Sequence, residues 1–216
     1  MQTFERLPGG TLLCQSDEYL KIGTDAVLLA EHAAPGNRIC DLGCGCGAVL
    51  LRLSELRPNA ELHGLELQPG AAALCDAGIA LNGLGERVHV TTGDLRDRET
   101  LLALGAGRFD LVVSNPPYLR AGSGKQPASP IRAIEREDRT APPEAVTSAA
   151  ALLLKQGGSC DLILRQDRLT DYLCALRAAG IEPKRLLLFS AGDGLSPLVL
   201  VHSVKGGGPG LELLLR

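Results

Sequence analysis

The chain has no tryptophan, and its other large aromatics amount to three phenylalanines and three tyrosines. Phe109 and Phe189 sit in strand-like runs and read as core, so few rings remain to stack on a base, and Tyr118 carries most of that weight. A surplus of charge is also lacking: 22 basic against 25 acidic residues leave a net −3. That excludes attachment to nucleic acid by bulk charge, and any RNA contact has to use a local patch. No apolar run reaches membrane-spanning length without charges. Residues 1–7 (MQTFERL) show no basic-then-apolar export pattern. A cytoplasmic protein without membrane contact is expected. Seven cysteines, an odd number in such a chain, are expected as free thiols. Cys44 and Cys46 have no second close pair of ligands and the four histidines are scattered, so no metal is expected. The two cysteines read as small fillers in a glycine turn.

What is present is a core. With 45% hydrophobic residues, 216 residues suffice for one α/β domain spanning 1–216. Short apolar runs alternate with helical stretches, the pattern of a doubly wound, mostly parallel sheet covered on both faces. Strands are expected at 38–42, 61–65, 88–92, 109–113, 158–164, 185–190 and 198–203. Helices are expected at 48–57, 70–82, 98–104, 148–155 and 168–179. An N-terminal extension, 1–37, holds a further helix at 24–33, where Thr24 or Asp25 precedes an apolar stretch. Residues 119–143 form a loop rich in Gly, Pro and Ser, long enough to expect a functional or mobile segment. The glycine-rich stretch 206–210 reads as a turn.

Two motifs carry chemistry. The first is Asp41-Leu42-Gly43-Cys44-Gly45-Cys46-Gly47, a strand end running into a helix. Glycines there allow positive φ and close approach of a ligand to the backbone, at the sheet edge where ligands bind in such folds. A dinucleotide fingerprint has G-x-G-x-x-G spacing; this chain has G-x-G-x-G preceded by an acid. An acid beside the turn suits the cationic amino group of S-adenosylmethionine and is poorly placed for a diphosphate. Glu66, ending the second strand, can accept from both ribose hydroxyls. Asp94, ending the third, can accept from an adenine amino group. Read alone, either could be a solvated strand-end acid.

The second motif, Asn115-Pro116-Pro117-Tyr118, begins 74 residues after Asp41 and directly follows the fourth strand. By itself it could be a strand-terminating turn. An exocyclic or amide NH2 is a poor nucleophile because its lone pair is delocalised. A site must hold both N–H groups and turn the lone pair toward the methyl. Asn115 Oδ1 can accept one N–H and the Pro116 carbonyl the other. The prolines stiffen that carbonyl, and Tyr118 offers a face to the planar acceptor. Catalysis is then mostly alignment.

With these motifs the chain resembles the class I S-adenosylmethionine-dependent methyltransferases of the amino-group type. Residues 21–30 (KIGTDAVLLA), 196–201 (SPLVLV) and 205–211 (KGGGPGL) make it more closely similar to the bacterial tRNA1(Val) adenine-37 N6-methyltransferase family. The resemblance spans nearly the whole chain. It implies a Rossmann-like seven-stranded sheet with the last strand antiparallel, S-adenosylmethionine as cofactor, and an adenine beside a tRNA anticodon as acceptor. It places Asp41, Gly43, Cys44 and Gly45 along the cofactor, with Glu66 and Leu67 at its ribose and Asp94 and Leu95 at its adenine. Thr24 and Asp25 would close the methionine end, helix capping being the alternative for that pair. Asn115, which also borders the cofactor, would act with Pro116 and Tyr118 in catalysis, and Pro117 would meet the target base. Arg132 and Arg136 are candidate RNA contacts in a loop whose span 120–139 has five basic and three acidic residues, net +2; a solvated surface loop is the alternative. A monomer or weak homodimer is expected. Two other functions share the motifs. One is protein glutamine N5-methylation of a release factor, although 40 residues before Asp41 are few for the helical substrate domain many such enzymes carry. The other is a cofactor-binding module without catalysis.

Overall fold

The computed structural model describes residues 2–19, 22–117, 141–191 and 194–216. Tyr118, Arg132, Arg136 and nearly all of the 119–143 loop lie outside them.

The strands are β1 Gln2–Arg6, β2 Leu12–Ser16, β3 Arg38–Leu42, β4 Glu61–Glu66, β5 Val88–Thr92, β6 Phe109–Ser114, β7 Leu154–Arg165, β8 Ile181–Ala191, β9 Gly194–Lys205 and β10 Glu212–Leu215. The helices are α1 Thr24–His32, α2 Ala48–Leu56, α3 Pro69–Leu81, α4 Arg98–Gly105, α5 Pro143–Leu153 and α6 Leu169–Ala178. The main sheet runs β10-β8-β9-β7-β6-β3-β4-β5. β9 is antiparallel to both neighbours, and every other adjacent pair is parallel.

Apolar side chains on both faces of each central strand explain this layering. In β3, Ile39 faces a core built with α1, α2 and α3. Cys40 and Leu42 face a second core built with α4, α5 and α6. Asp41 alternates onto the Ile39 side, so a carboxylate is carried under α1 and α2. Ser114 Oγ donates to Leu42 O at 2.6 Å, locking the end of β6 to the end of β3. From β3 the chain winds outward to β4 and β5; β6 then returns to its other side and leads away to β7. The switch point, and hence the crevice, lies between β3 and β6.

The seven expected strands are in place, and the sheet has an eighth. Residues 212–215 do not trail away after the glycine turn. They pair in parallel with β8, Glu212 opposite Arg185 through Leu215 opposite Leu188. Four residues after a turn are too short to show a period; Lys184 Nζ of β8 donates to Gly208 O at 2.9 Å, tying the turn that leads into them to their partner strand. The N-terminal extension adds the hairpin β1–β2, not expected from its sequence. Asn82 holds β2 to α3, its Oδ1 accepting from Leu12 N at 2.9 Å and its Nδ2 donating to Leu12 O at 2.7 Å. α5 starts five residues ahead of the expected 148, with Pro143 in its first turn, where the missing N–H costs nothing.

Candidate active site

The crevice at the carboxyl ends of β3, β4 and β6 opens into a cavity of about 510 Å³, a size suited to a small-molecule ligand. The turn from β3 to α2 forms its floor. Gly43, Gly45 and Gly47 have φ of +74°, +54° and +87°. A Cβ on Gly43 or Gly45 would meet nothing within 4 Å and would project into open space. Gly47 differs: a Cβ there would stand 2.5 Å from Cys75 Sγ, so that glycine lets α2 approach α3.

Glu66 organises the turn. It is buried at the end of β4, with Oε2 accepting from Gly45 N at 2.9 Å and Oε1 from Gln68 N at 2.8 Å. Burial pushes its carboxyl above the usual carboxylate range, against those N–H donors. Asp41 is buried as well, and its Oδ2 has no hydrogen-bond partner among the described residues. Desolvation first, then the neighbouring Glu66, raises its pKa from 3.8 to about 8. A buried polar atom left unpartnered beside a cavity calls for an occupant.

Asp94, following β5, lines the same cavity, but the Arg96 guanidinium grips its carboxylate, with Nε 3.0 Å from both oxygens and Nη2 2.6 Å from Oδ2. That pairing holds Asp94 below the usual carboxylate range. Leu67 and Leu95 also line the wall. Asn115, Pro116 and Pro117 line the far side, and Asn115 Nδ2 donates to Asp25 Oδ2 at 3.0 Å.

The structure thus gathers Asp25, Asp41, Gly43, Cys44, Gly45, Glu66, Leu67, Asp94, Leu95, Asn115, Pro116 and Pro117 around one cavity. Thr24 is exposed and is not among the lining residues. Neither Thr24 nor Asp25 caps α1: its N-cap is Gly23, without a side-chain bond. Sequence reasoning missed Gln68, Ala141, Val146 and Arg165, which also line the cavity. Arg165, the last residue of β7, had a weak signal as a cation at a strand's carboxyl end. Among the described residues no three His, Cys, Asp or Glu side chains are grouped to hold a metal. Cys44 and Cys46 are buried, and neither is in a disulfide.

A largely parallel sheet with one antiparallel strand, an acidic glycine turn and an Asn-Pro-Pro step on one crevice define a class I, Rossmann-like methyltransferase architecture. Solved structures share it. A predicted O-methyltransferase from Agrobacterium tumefaciens superposes with a TM-score of 0.66 at 24% identity, over 89% of this chain and 85% of that one. The geranyl diphosphate C-methyltransferase from Streptomyces coelicolor, in complex with Mg2+, geranyl diphosphate and S-adenosyl-L-homocysteine, gives 0.60 at 14%, over 84% and 78%. These likenesses establish the fold alone. Residues 14–169 match the model of the methyltransferase small domain, and the chain belongs to that family. A tRNA1(Val) (adenine(37)-N6)-methyltransferase of Porphyromonas gingivalis is 33% identical over 188 residues, 78% of this chain and 73% of that protein. A protein of the same name from Aeromonas salmonicida is 28% identical over 208 residues, 87% and 84% of the two chains.

Proposed function

We propose that this protein transfers the methyl group of S-adenosylmethionine to the exocyclic N6 of an adenine in tRNA, next to the anticodon. The observation that carries the reading is the meeting, on one crevice, of a glycine turn with an orphaned buried carboxylate and the Asn115 amide. The relatives' activity supplies the acceptor. The cavity fits the cofactor in three respects. Gly43 and Gly45 keep space open beside the backbone. Asp41 Oδ2 offers an unpartnered acceptor to a cationic amine. Glu66 and Asp94 place carboxylates at the ends of β4 and β5.

S-adenosylmethionine supplies an electrophilic methyl group on a sulfonium. The chain's own residues supply alignment. Asn115 Oδ1 and the Pro116 carbonyl accept the two N–H groups of the adenine amine. The nitrogen lone pair then bonds to the methyl carbon as the carbon–sulfur bond breaks. The carbonyl dipoles stabilise the positive nitrogen, and its proton leaves to water. Tyr118 and Pro117 flank the base, which has to leave its stack to reach them. Arg132 and Arg136 contact the RNA backbone. The reading takes 1–216 as one catalytic unit, cytoplasmic, and a monomer or weak homodimer.

The test is transfer of labelled methyl to unmodified total tRNA and, separately, to release factors, followed by digestion and mass analysis. N6-methyladenosine in tRNA is expected. Methylglutamine in protein, with nothing in tRNA, would overturn the RNA assignment.

Asp41 gives this reading a pH dependence. In the ligand-free fold it holds its proton at pH 7, because its pKa lies near 8. A bound ammonium favours the carboxylate, so binding at pH 7 should release close to one proton. Affinity should rise as pH climbs toward 8 and level off beyond. The unliganded protein should show the converse. Its folded state keeps a proton that the unfolded chain gives up above about pH 4, so the contribution of Asp41 to stability should decline between about pH 4 and 8, a decline that Asp41→Asn should remove. Titration calorimetry of cofactor in buffers of different ionisation enthalpy measures the proton. Asp41→Asn should abolish the release, and a wild-type release of zero would contradict the assignment.

A further inference from the structure

Asp25 contacts Asn115 directly, and we infer that it is a positioning residue which sets the orientation of the Asn115 amide for methyl transfer. The inference rests on the proposed role of Asn115 and deepens it. An Asn side chain has two ends of nearly equal shape and opposite hydrogen-bonding sense. A half-turn about its last torsion exchanges Oδ1 and Nδ2. An amine that donates both N–H groups can use only the oxygen; an amide turned the other way would meet it donor to donor.

A carboxylate has only acceptor atoms. Asp25 Oδ2 takes the Asn115 Nδ2–H at 3.0 Å, which makes Oδ1 the end that an incoming amine can use. The reversed amide would set its oxygen against the carboxylate. A neutral acceptor would give the same preference more weakly, since bonds to an ionised partner are roughly twice as strong. The carboxylate also polarises the amide, making Oδ1 a better acceptor, and its negative charge faces a nitrogen that turns positive during transfer.

The fold holds Asp25 in place from several sides. Its Oδ1 accepts from Ala26 N at 3.0 Å. A Cβ on Gly23 would collide with that same oxygen, so glycine is required there for this rotamer. Ala26, Leu29 and Ala30 bury one face of α1 against the core. Just beyond the other end of the helix, Ala34 N donates to the buried Asp161 Oδ2 at 2.6 Å. Asp25 and Asn115 are 90 residues apart, on a helix that precedes β3 and on the loop after β6.

The experiment is a double-mutant cycle with Asp25→Asn, Asn115→Asp and the two combined, assayed on whichever NH2 acceptor the wild-type protein methylates. Melting temperature and cofactor Kd are measured alongside. Asp25→Asn keeps the shape but lets either amide turn around. It should lower kcat about 10- to 100-fold, with cofactor Kd within about threefold and the melting temperature unchanged. Asn115→Asp sets two carboxylates against each other and should be nearly inactive. The double variant restores one donor facing one carboxylate, with an oxygen toward the amine, and should recover at least about tenfold over Asn115→Asp. Additive losses in the cycle would overturn the inference. So would an Asp25→Asn protein that keeps kcat but loses cofactor affinity, which would make Asp25 a cofactor contact. Failure of the underlying reading looks different: Asn115→Ala would then retain full activity.

Discussion

Replacing Asn115 with alanine is expected to lower kcat for methyl transfer to tRNA by about 10²- to 10³-fold. The amide oxygen is the proposed partner of one N–H of the acceptor, so its loss lets the amine rotate and its lone pair rejoin the ring. Alanine also removes the donor that Asp25 Oδ2 engages at 3.0 Å. The deficit should fall on the chemical step. Cofactor Kd should stay within a few-fold, because the glycine turn, Asp41 and Glu66 are untouched. Single-turnover rates at saturating tRNA separate the step from binding. A rate within tenfold of wild type would remove Asn115 from the chemistry and leave Asn-Pro-Pro as a strand-ending turn.

The second large effect is expected at Glu66, and it should appear in binding. Its carboxylate accepts from Gly45 N and Gln68 N, tying the turn after β3 to the loop after β4. It is also the proposed acceptor for the ribose hydroxyls. Bonds to a charged group contribute about 1.5–3 kcal/mol each, so Glu66→Ala should weaken cofactor affinity by about 10²- to 10³-fold. Two N–H groups beside the cavity lose their partner, so the melting temperature should fall too. Glu66→Gln offers a single oxygen and should lie between. Because the Glu66 charge helps raise Asp41, Glu66→Gln should also move the proton release of Asp41 to lower pH. Isothermal titration across pH reads both. Unchanged cofactor affinity in Glu66→Ala would confine Glu66 to bracing the turn.

Much of the fold could be read along the chain because its signals are local. Runs such as 109–113, apolar but for Asp110 and bounded by Gly107 and the Asn-Pro-Pro step, permit little except a buried parallel strand. What escaped has no such local signal. β10 is a short apolar run that becomes a strand because β8 offers it an open edge. The β1–β2 hairpin depends on Asn82, just past α3, and Glu55 of α2, which receive its backbone.

The site divides the same way. The acid-and-glycine turn and the Asn-Pro-Pro step declare themselves because φ at Gly43 and Gly45, and the missing N–H of proline, are properties of single residues. The sequence by itself determined which groups reach the crevice edge: Asp41, Glu66, Asp94 and Asn115, each at or just past a strand end. Only the tertiary structure decided what surrounds them. It buries Asp41 beside Glu66 and raises its pKa to about 8. It brings Asp25 from α1 to the Asn115 amide. The proton affinity of a carboxylate and the orientation of an amide depend on desolvation and on partners within about 4 Å, and such partners come largely from segments that meet only when the sheet and helices pack.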